Sequence, residues 1–166
     1  QSAATRARML ELARIDGGRV VHVAQIPCPI IPERHKFDDA VGAALPLISS
    51  PALHAVTMTG ELSDVFGDRA EGVAYLVALM QREAASQALR VYAGSSGFLK
   101  PEDAKSRMLE VASANWHATA ALLTRRYADA LLVDIGTTTT DLIPIKAGGV
   151  AARGAQADRA GWSPDH

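Results

Sequence analysis

Apolar positions along the chain alternate between a two-residue spacing and a three-to-four-residue spacing, and the changes of period mark the expected elements. Val20-Val21-His22-Val23-Ala24-Gln25-Ile26 is β-branched and partly alternating, and the Asp16-Gly17-Gly18 before it favours a tight turn, so the segment reads as the return strand of a hairpin. Pro27-Cys28-Pro29-Ile30-Ile31-Pro32 cannot donate ladder bonds at its prolines and predicts an extended connector. A helix is expected from Phe37 to the Ser49-Ser50-Pro51 breaker, with Asp38 and Asp39 in its positive first turn. His54-Ala55-Val56-Thr57-Met58-Thr59 is short, apolar and ended by Gly60, which suits a buried parallel strand. From Asp68 onward, Val73, Leu76, Val77, Met80 and Ala84 give one helical face. A strand over Leu89-Arg90-Val91-Tyr92-Ala93, a Gly94-Ser95-Ser96-Gly97 loop and a helix opened by Pro101 and running to about Tyr127 follow. Ala130-Leu131-Leu132-Val133-Asp134-Ile135 and Thr140-Asp141-Leu142-Ile143-Pro144-Ile145 pair as a hairpin with a polar tip. From Gly148 to His166 the composition predicts irregular chain.

A length of 166 residues with 48% hydrophobic positions supports one sizeable core, and therefore one α/β lobe. Lys and Arg total 17 against 18 Asp and Glu, so there is no electrostatic footprint for nucleic acid or an anionic membrane surface. The single Cys28 cannot form an internal disulfide, and no apolar stretch approaches the roughly 20 residues of a membrane span. A cytoplasmic protein without nucleic-acid or membrane partners is expected. His22, His54 and His117 have no ligand-like spacing for zinc, and Cys28 between two prolines reads as structural.

Candidate chemistry concentrates in Asp134-Ile135-Gly136-Thr137-Thr138-Thr139-Thr140-Asp141. Gly136 lets the backbone turn closely, so that successive amide N–H groups can converge on an anionic oxygen. The hydroxyls of Thr137, Thr138 and Thr139 add rotatable donors. Asp134, at the mouth of the turn, can hold a hydrated Mg²⁺ that neutralises phosphate oxygens. The same residues also make an ordinary hairpin tip, because Thr favours strands, and spacing alone does not separate the two readings.

Leu132 through Asp141 resembles the second phosphate loop of the actin, sugar kinase and Hsp70 ATPase superfamily, in its hydantoinase/oxoprolinase-like form. A second block, Val56-Thr57-Met58-Thr59-Gly60-Glu61-Leu62-Ser63-Asp64 followed by Asp68-Arg69-Ala70-Glu71-Gly72-Val73, is similar to the tetrahydromethanopterin-linked one-carbon pathway proteins of methylotrophs and methanogens. The Ser95-Ser96-Gly97-Phe98 loop and Ser113-Ala114-Asn115-Trp116 also fit, so the resemblance runs over residues 17 to 146. Related members in methanogens act in methanofuran biosynthesis, joining an aminomethylfuran-methyl diphosphate to the phenol oxygen of glutamyl-tyramine and releasing diphosphate. The resemblance implies an actin-like (ribonuclease H-like) lobe, a mixed sheet flanked by helices, with Mg²⁺ and a small phosphorylated substrate.

Within that frame, Glu61 and Asp64 follow a strand whose C-terminal end is the usual ligand side of an open α/β sheet. One would bind metal and the other accept the phenol proton, unless they cap the next helix. Arg69 can clamp phosphate through its forked donors or stand exposed at a helix start. Asn115 is a candidate because a buried amide needs partners. The expected organisation is a first lobe over 1–127, the phosphate hairpin over 128–147 and a tail over 148–166. No Asp-x-Gly-Gly first loop is found, so the lobe is expected to be incomplete, and exposed strand edges favour a homodimer. An ATP-dependent kinase or ATPase, and a non-catalytic binding module, are the other functional readings.

Overall fold

Strand β1 (Met9–Asp16) folds back on β2 (Arg19–Pro27) through Gly17 and Gly18, whose φ angles of +54° and +76° are the pair a two-residue hairpin turn demands. The computed structural model describes residues 9–28, 33–48, 53–84, 88–112, 114–135 and 140–151. Pro29 through Pro32 of the expected connector lie outside them. One face of the hairpin puts Leu10 and Ile26 against Cys28, Ala40 and Phe37, anchoring helix α1 (Lys36–Ala44). The buried Cys28 thiol donates to the Lys36 carbonyl at 3.6 Å. The helix stops at Ala44 and tightens into a 3₁₀ turn, Leu45–Ile48, because Pro46 has no N–H to continue the ladder.

The next strand, β3 (Leu53–Val56), runs parallel to β4 (Ala88–Tyr92), and helix α2 (Arg69–Glu83) forms the crossover. A short β5 (Phe98–Leu99) adds antiparallel to β4, giving the order β3-β4-β5. Asp68 caps α2 by accepting from the Glu71 N–H at 2.8 Å, while Glu71 Oε2 accepts the Gly67 N–H at 2.7 Å. Val73, Val77 and Val91 interlock with Met58, Leu76, Ala93, Ala104 and Val111 beneath the sheet. Each fully buried valine contributes on the order of 1.5–3 kcal/mol by leaving water.

The single long helix expected from Pro101 to Tyr127 is three pieces: α3 (Pro101–Ser106), α4 (Met108–Val111) and α5 (Asn115–Leu123). Ser106 Oγ donates back to the Asp103 carbonyl at 2.8 Å, a local bond that competes with the helix ladder. Arg107 then leaves helical geometry at φ −121°, ψ 41°, and Ala112 does so at φ −58°, ψ 126°. Apolar periodicity carried across these breaks because each piece still buries one face.

The chain divides into two compact units, Gln1–Ala114 and Asn115–His166. In the second, β6 (Ala130–Ile135) pairs antiparallel with β7 (Thr140–Lys146), as expected. Irregular chain was expected from Gly148, yet β8 (Gly149–Val150) returns on β7 through Ala147 and Gly148 at φ +51° and +72°. Gly148 supplies that turn and donates its N–H to the Ala128 carbonyl at 2.8 Å, which holds the return in place. Residues 152–166 lie outside the described set. Ile143 and Ile145 are buried, whereas Leu131, Val133, Ile135 and Leu142 project to solvent from the opposite side of the hairpin. The architecture is mixed α/β, with three small sheets in place of one mixed sheet. Among the described residues, no helix is long and apolar enough to cross a membrane.

Candidate functional site

Beyond the C-terminal end of β3, Thr57 to Thr59 lead into a 3₁₀ turn, Gly60–Leu62, that carries Glu61. Glu61 is 1% exposed and Ser63 3% exposed, so an ionisable and a polar side chain are both withdrawn from water. Among the described residues, the Ser63 hydroxyl makes no hydrogen bond. Such burial carries a desolvation cost and is unusual for a residue whose only role is packing. Two glycines make it sterically possible. A Cβ on Gly72 of α2 would lie 2.6 Å from Glu61 Cα and 2.8 Å from its carbonyl oxygen, and one on Gly60 would lie 2.8 Å from the Phe37 ring. Phe37 in turn belongs to an aromatic group with Phe66 and Tyr75, and the Arg34 guanidinium sits 5.5 and 5.3 Å from the latter two ring centres.

Asp64 is exposed one residue after the buried Ser63. The cap of α2 is Asp68, which removes the reading of Glu61 and Asp64 as its capping residues. Arg69 is the first residue of α2 and is exposed, without an ion pair among the described residues. The first unit therefore places Glu61, Asp64 and Arg69 along one short segment at the carboxyl edge of the parallel strands.

In the second unit, Asp134 and Asp141 stand directly opposite each other at the turn end of the β6–β7 hairpin, both exposed. Like charges facing across strands destabilise a hairpin unless a cation lies between them. Paired hard carboxylate oxygens fit Mg²⁺, which keeps several waters and takes one or two protein carboxylates plus phosphate. Gly136, Thr137, Thr138 and Thr139 lie outside the described residues. Asn115 opens α5, half-buried. Among the described residues no three His, Cys, Asp or Glu side chains gather to hold a metal ion, and burial pushes the His54 and His117 imidazoles below their ordinary pKa.

Three participants escaped the sequence reading. Gly72 had a signal, a glycine inside an otherwise regular helical run, which marks close backbone approach. Asp141 was visible in the threonine-rich motif, but only the hairpin register shows it facing Asp134. Ser63 carried no sequence signal, since burial of a lone serine depends on where α2 lands.

A family model described as Hydantoinase/oxoprolinase matches residues 52–160, a stretch that includes Glu61, Gly72, Asp134 and Asp141. The chain is also 38% identical over 106 residues to the (4-{4-[2-(gamma-L-glutamylamino)ethyl]phenoxymethyl}furan-2-yl)methanamine synthase of Methanocaldococcus jannaschii, covering 63% of this chain and 32% of that relative. The chain thus spans about a third of the relative's length.

Proposed function

Because this chain belongs to the hydantoinase/oxoprolinase family, we propose that it supplies part of a transferase of methanofuran assembly. The reaction joins an aminomethylfuran-methyl diphosphate to the phenol oxygen of glutamyl-tyramine. The carbon–oxygen bond to diphosphate breaks, the ether bond forms, and the phenol proton passes to a base. The observation that carries this reading is the 38% identity over 106 residues to the furan-methanamine synthase. In this reading the fold is an actin-like lobe.

Asp64, exposed beside the turn, takes the phenol proton, while Glu61, enclosed by α2, fixes the turn that presents it. Arg69, exposed at the start of α2, is the residue of the first unit that would meet the diphosphate oxygens, where leaving-group charge develops. In the second unit, Asp134 and Asp141 would hold magnesium, which when bound offsets negative charge on phosphate oxygens. Also in the second unit, Asn115 at the start of α5 offers its amide as a polar contact for substrate. Incubating the chain with both substrates and Mg²⁺ tests the proposal by measuring diphosphate. Release that falls at least tenfold, on the order of 1.4 kcal/mol in barrier, for Asp64→Ala is expected. No release beside an active preparation of the Methanocaldococcus synthase, or hydrolysis of ATP alone, overturns it.

A further inference from the structure

At the carboxyl edge of β4 the chain turns through Gly94–Ser96, with Gly94 at φ +56° and Gly97 at +68°. This loop leaves the same edge of the parallel pair as the Glu61 turn, since Val56 and Val91 are in register. Against it stands Arg107, at the break between α3 and α4. Its Nε donates to Glu110 Oε1 at 2.6 Å, and its Nη2 donates to both Glu110 Oε2 and Ser96 Oγ at 2.5 Å. Ser96 completes the ring by donating its hydroxyl to Glu110 Oε2 at 2.5 Å. Both charged side chains remain open to solvent, 43% and 40% exposed.

This arrangement fixes a guanidinium in one orientation and leaves part of it uncommitted. Among the described residues Nη1 makes no hydrogen bond, so two N–H donors point away from the pair. Glu110 keeps a lone pair on Oε1, because a carboxylate accepts about four bonds and three are taken. The hydrogen bonds from Arg107 and then Ser96 hold its carboxyl below the ordinary carboxylate range, so it stays ionised at neutral pH. A fixed positive group and a fixed negative group thus lie side by side at the ligand edge of the sheet.

We propose that Arg107, Ser96 and Glu110 form a recognition site for an α-amino-acid head group, with the ligand carboxylate on Arg107 Nη1 and its ammonium on Glu110. An amino acid carries these opposite charges on one carbon, which matches the adjacent pair, whereas a phosphate would meet the Glu110 carboxylate and be repelled. Resting on the function proposed above, the ligand is the free α-amino and α-carboxyl end of the γ-glutamyl group of the acceptor. The site would hold the end of that substrate remote from the reacting phenol, and so set specificity without touching the bond that forms.

Calorimetry with γ-L-glutamyl-ethylamide tests this on the whole chain. The expected result is binding that weakens about tenfold or more in Arg107→Ala and in Glu110→Gln, in line with charge-assisted hydrogen bonds. Two probes, one lacking the α-amine and one lacking the α-carboxylate, are expected to lose affinity to a similar degree on the unaltered protein. Those arms decide the matter even where a variant does not fold. No binding of the ethylamide, equal binding of the amine-free probe, or unchanged affinity in folded Arg107→Ala overturns the site. Binding with this pattern but no diphosphate release would keep the site and remove the reaction.

Discussion

Replacing Gly72 by alanine tests how tightly α2 is seated on the Glu61 turn. The added methyl would sit 2.6 Å from Glu61 Cα, 2.8 Å from its Cβ and 2.8 Å from its carbonyl oxygen. Carbon atoms pack at about 3.5–4.0 Å, so the overlap approaches 1 Å and falls on backbone that no rotamer change can clear. Overpacking of this kind costs about 1–3 kcal/mol, whereas the Gly-to-Ala exchange in a helix returns about 0.5–1 kcal/mol. The net expectation is a loss of up to about 2.5 kcal/mol, or a melting temperature lower by up to roughly 10 °C for a chain of this size. Gly42 in α1 is the matched control: nothing lies within 4 Å of the point a methyl there would occupy, so Gly42→Ala gains stability from helix propensity alone. Urea unfolding followed by circular dichroism measures both. If Gly72→Ala proves as stable as Gly42→Ala, α2 does not press on Glu61 as described, and the enclosure of that carboxylate has another cause.

Asp68→Ala removes the side-chain acceptor of the Glu71 N–H and is expected to lower stability by about 0.5–2 kcal/mol in the same denaturation assay, with Asp68→Asn or Asp68→Ser retaining most of it. Burial, and then the hydrogen bond it donates to Asp38, push the Tyr75 phenol up to about 12. The unfolded phenol ionises near 10, so the folded state holds the proton more tightly and stability falls as pH rises from about 10 to 12. An ultraviolet titration should lose its highest transition in Tyr75→Phe and shift it downward in Asp38→Asn. Leu131, Val133, Ile135 and Leu142 leave an apolar face on the β6–β7 hairpin, with Ile135 77% exposed. Sedimentation velocity at rising concentration should show self-association that Ile135→Lys weakens, and a concentration-independent monomer would contradict the expected homodimer.

Periodicity and turn chemistry made most of the element order readable from residues alone. The Gly17-Gly18 turn, the parallel β3 and β4 around an amphipathic α2, and the β6–β7 hairpin each follow from local rules satisfied by their own side chains. The long helix failed because its breaks come from a serine bonding back to its own backbone and from backbone torsions at Arg107 and Ala112, which leave the apolar spacing undisturbed. β8 failed because a two-residue strand carries too few side chains to show a period. At the site, residue types pointed to Glu61, but its burial is set by the approach of α2, a tertiary event. Similarly, the facing of Asp134 by Asp141 depends on strand register, and the Arg107–Ser96–Glu110 ring joins residues separated by a strand and a helix.

A phosphate-handling role for the β6–β7 hairpin is the claim on which the proposed chemistry turns. Titrating diphosphate into the chain by calorimetry, with and without Mg²⁺, tests that role directly. Magnesium-dependent binding that weakens at least tenfold in Asp134→Asn and in Asp141→Asn is the predicted result. Diphosphate binding that ignores magnesium and both substitutions, or no binding at all, would contradict it.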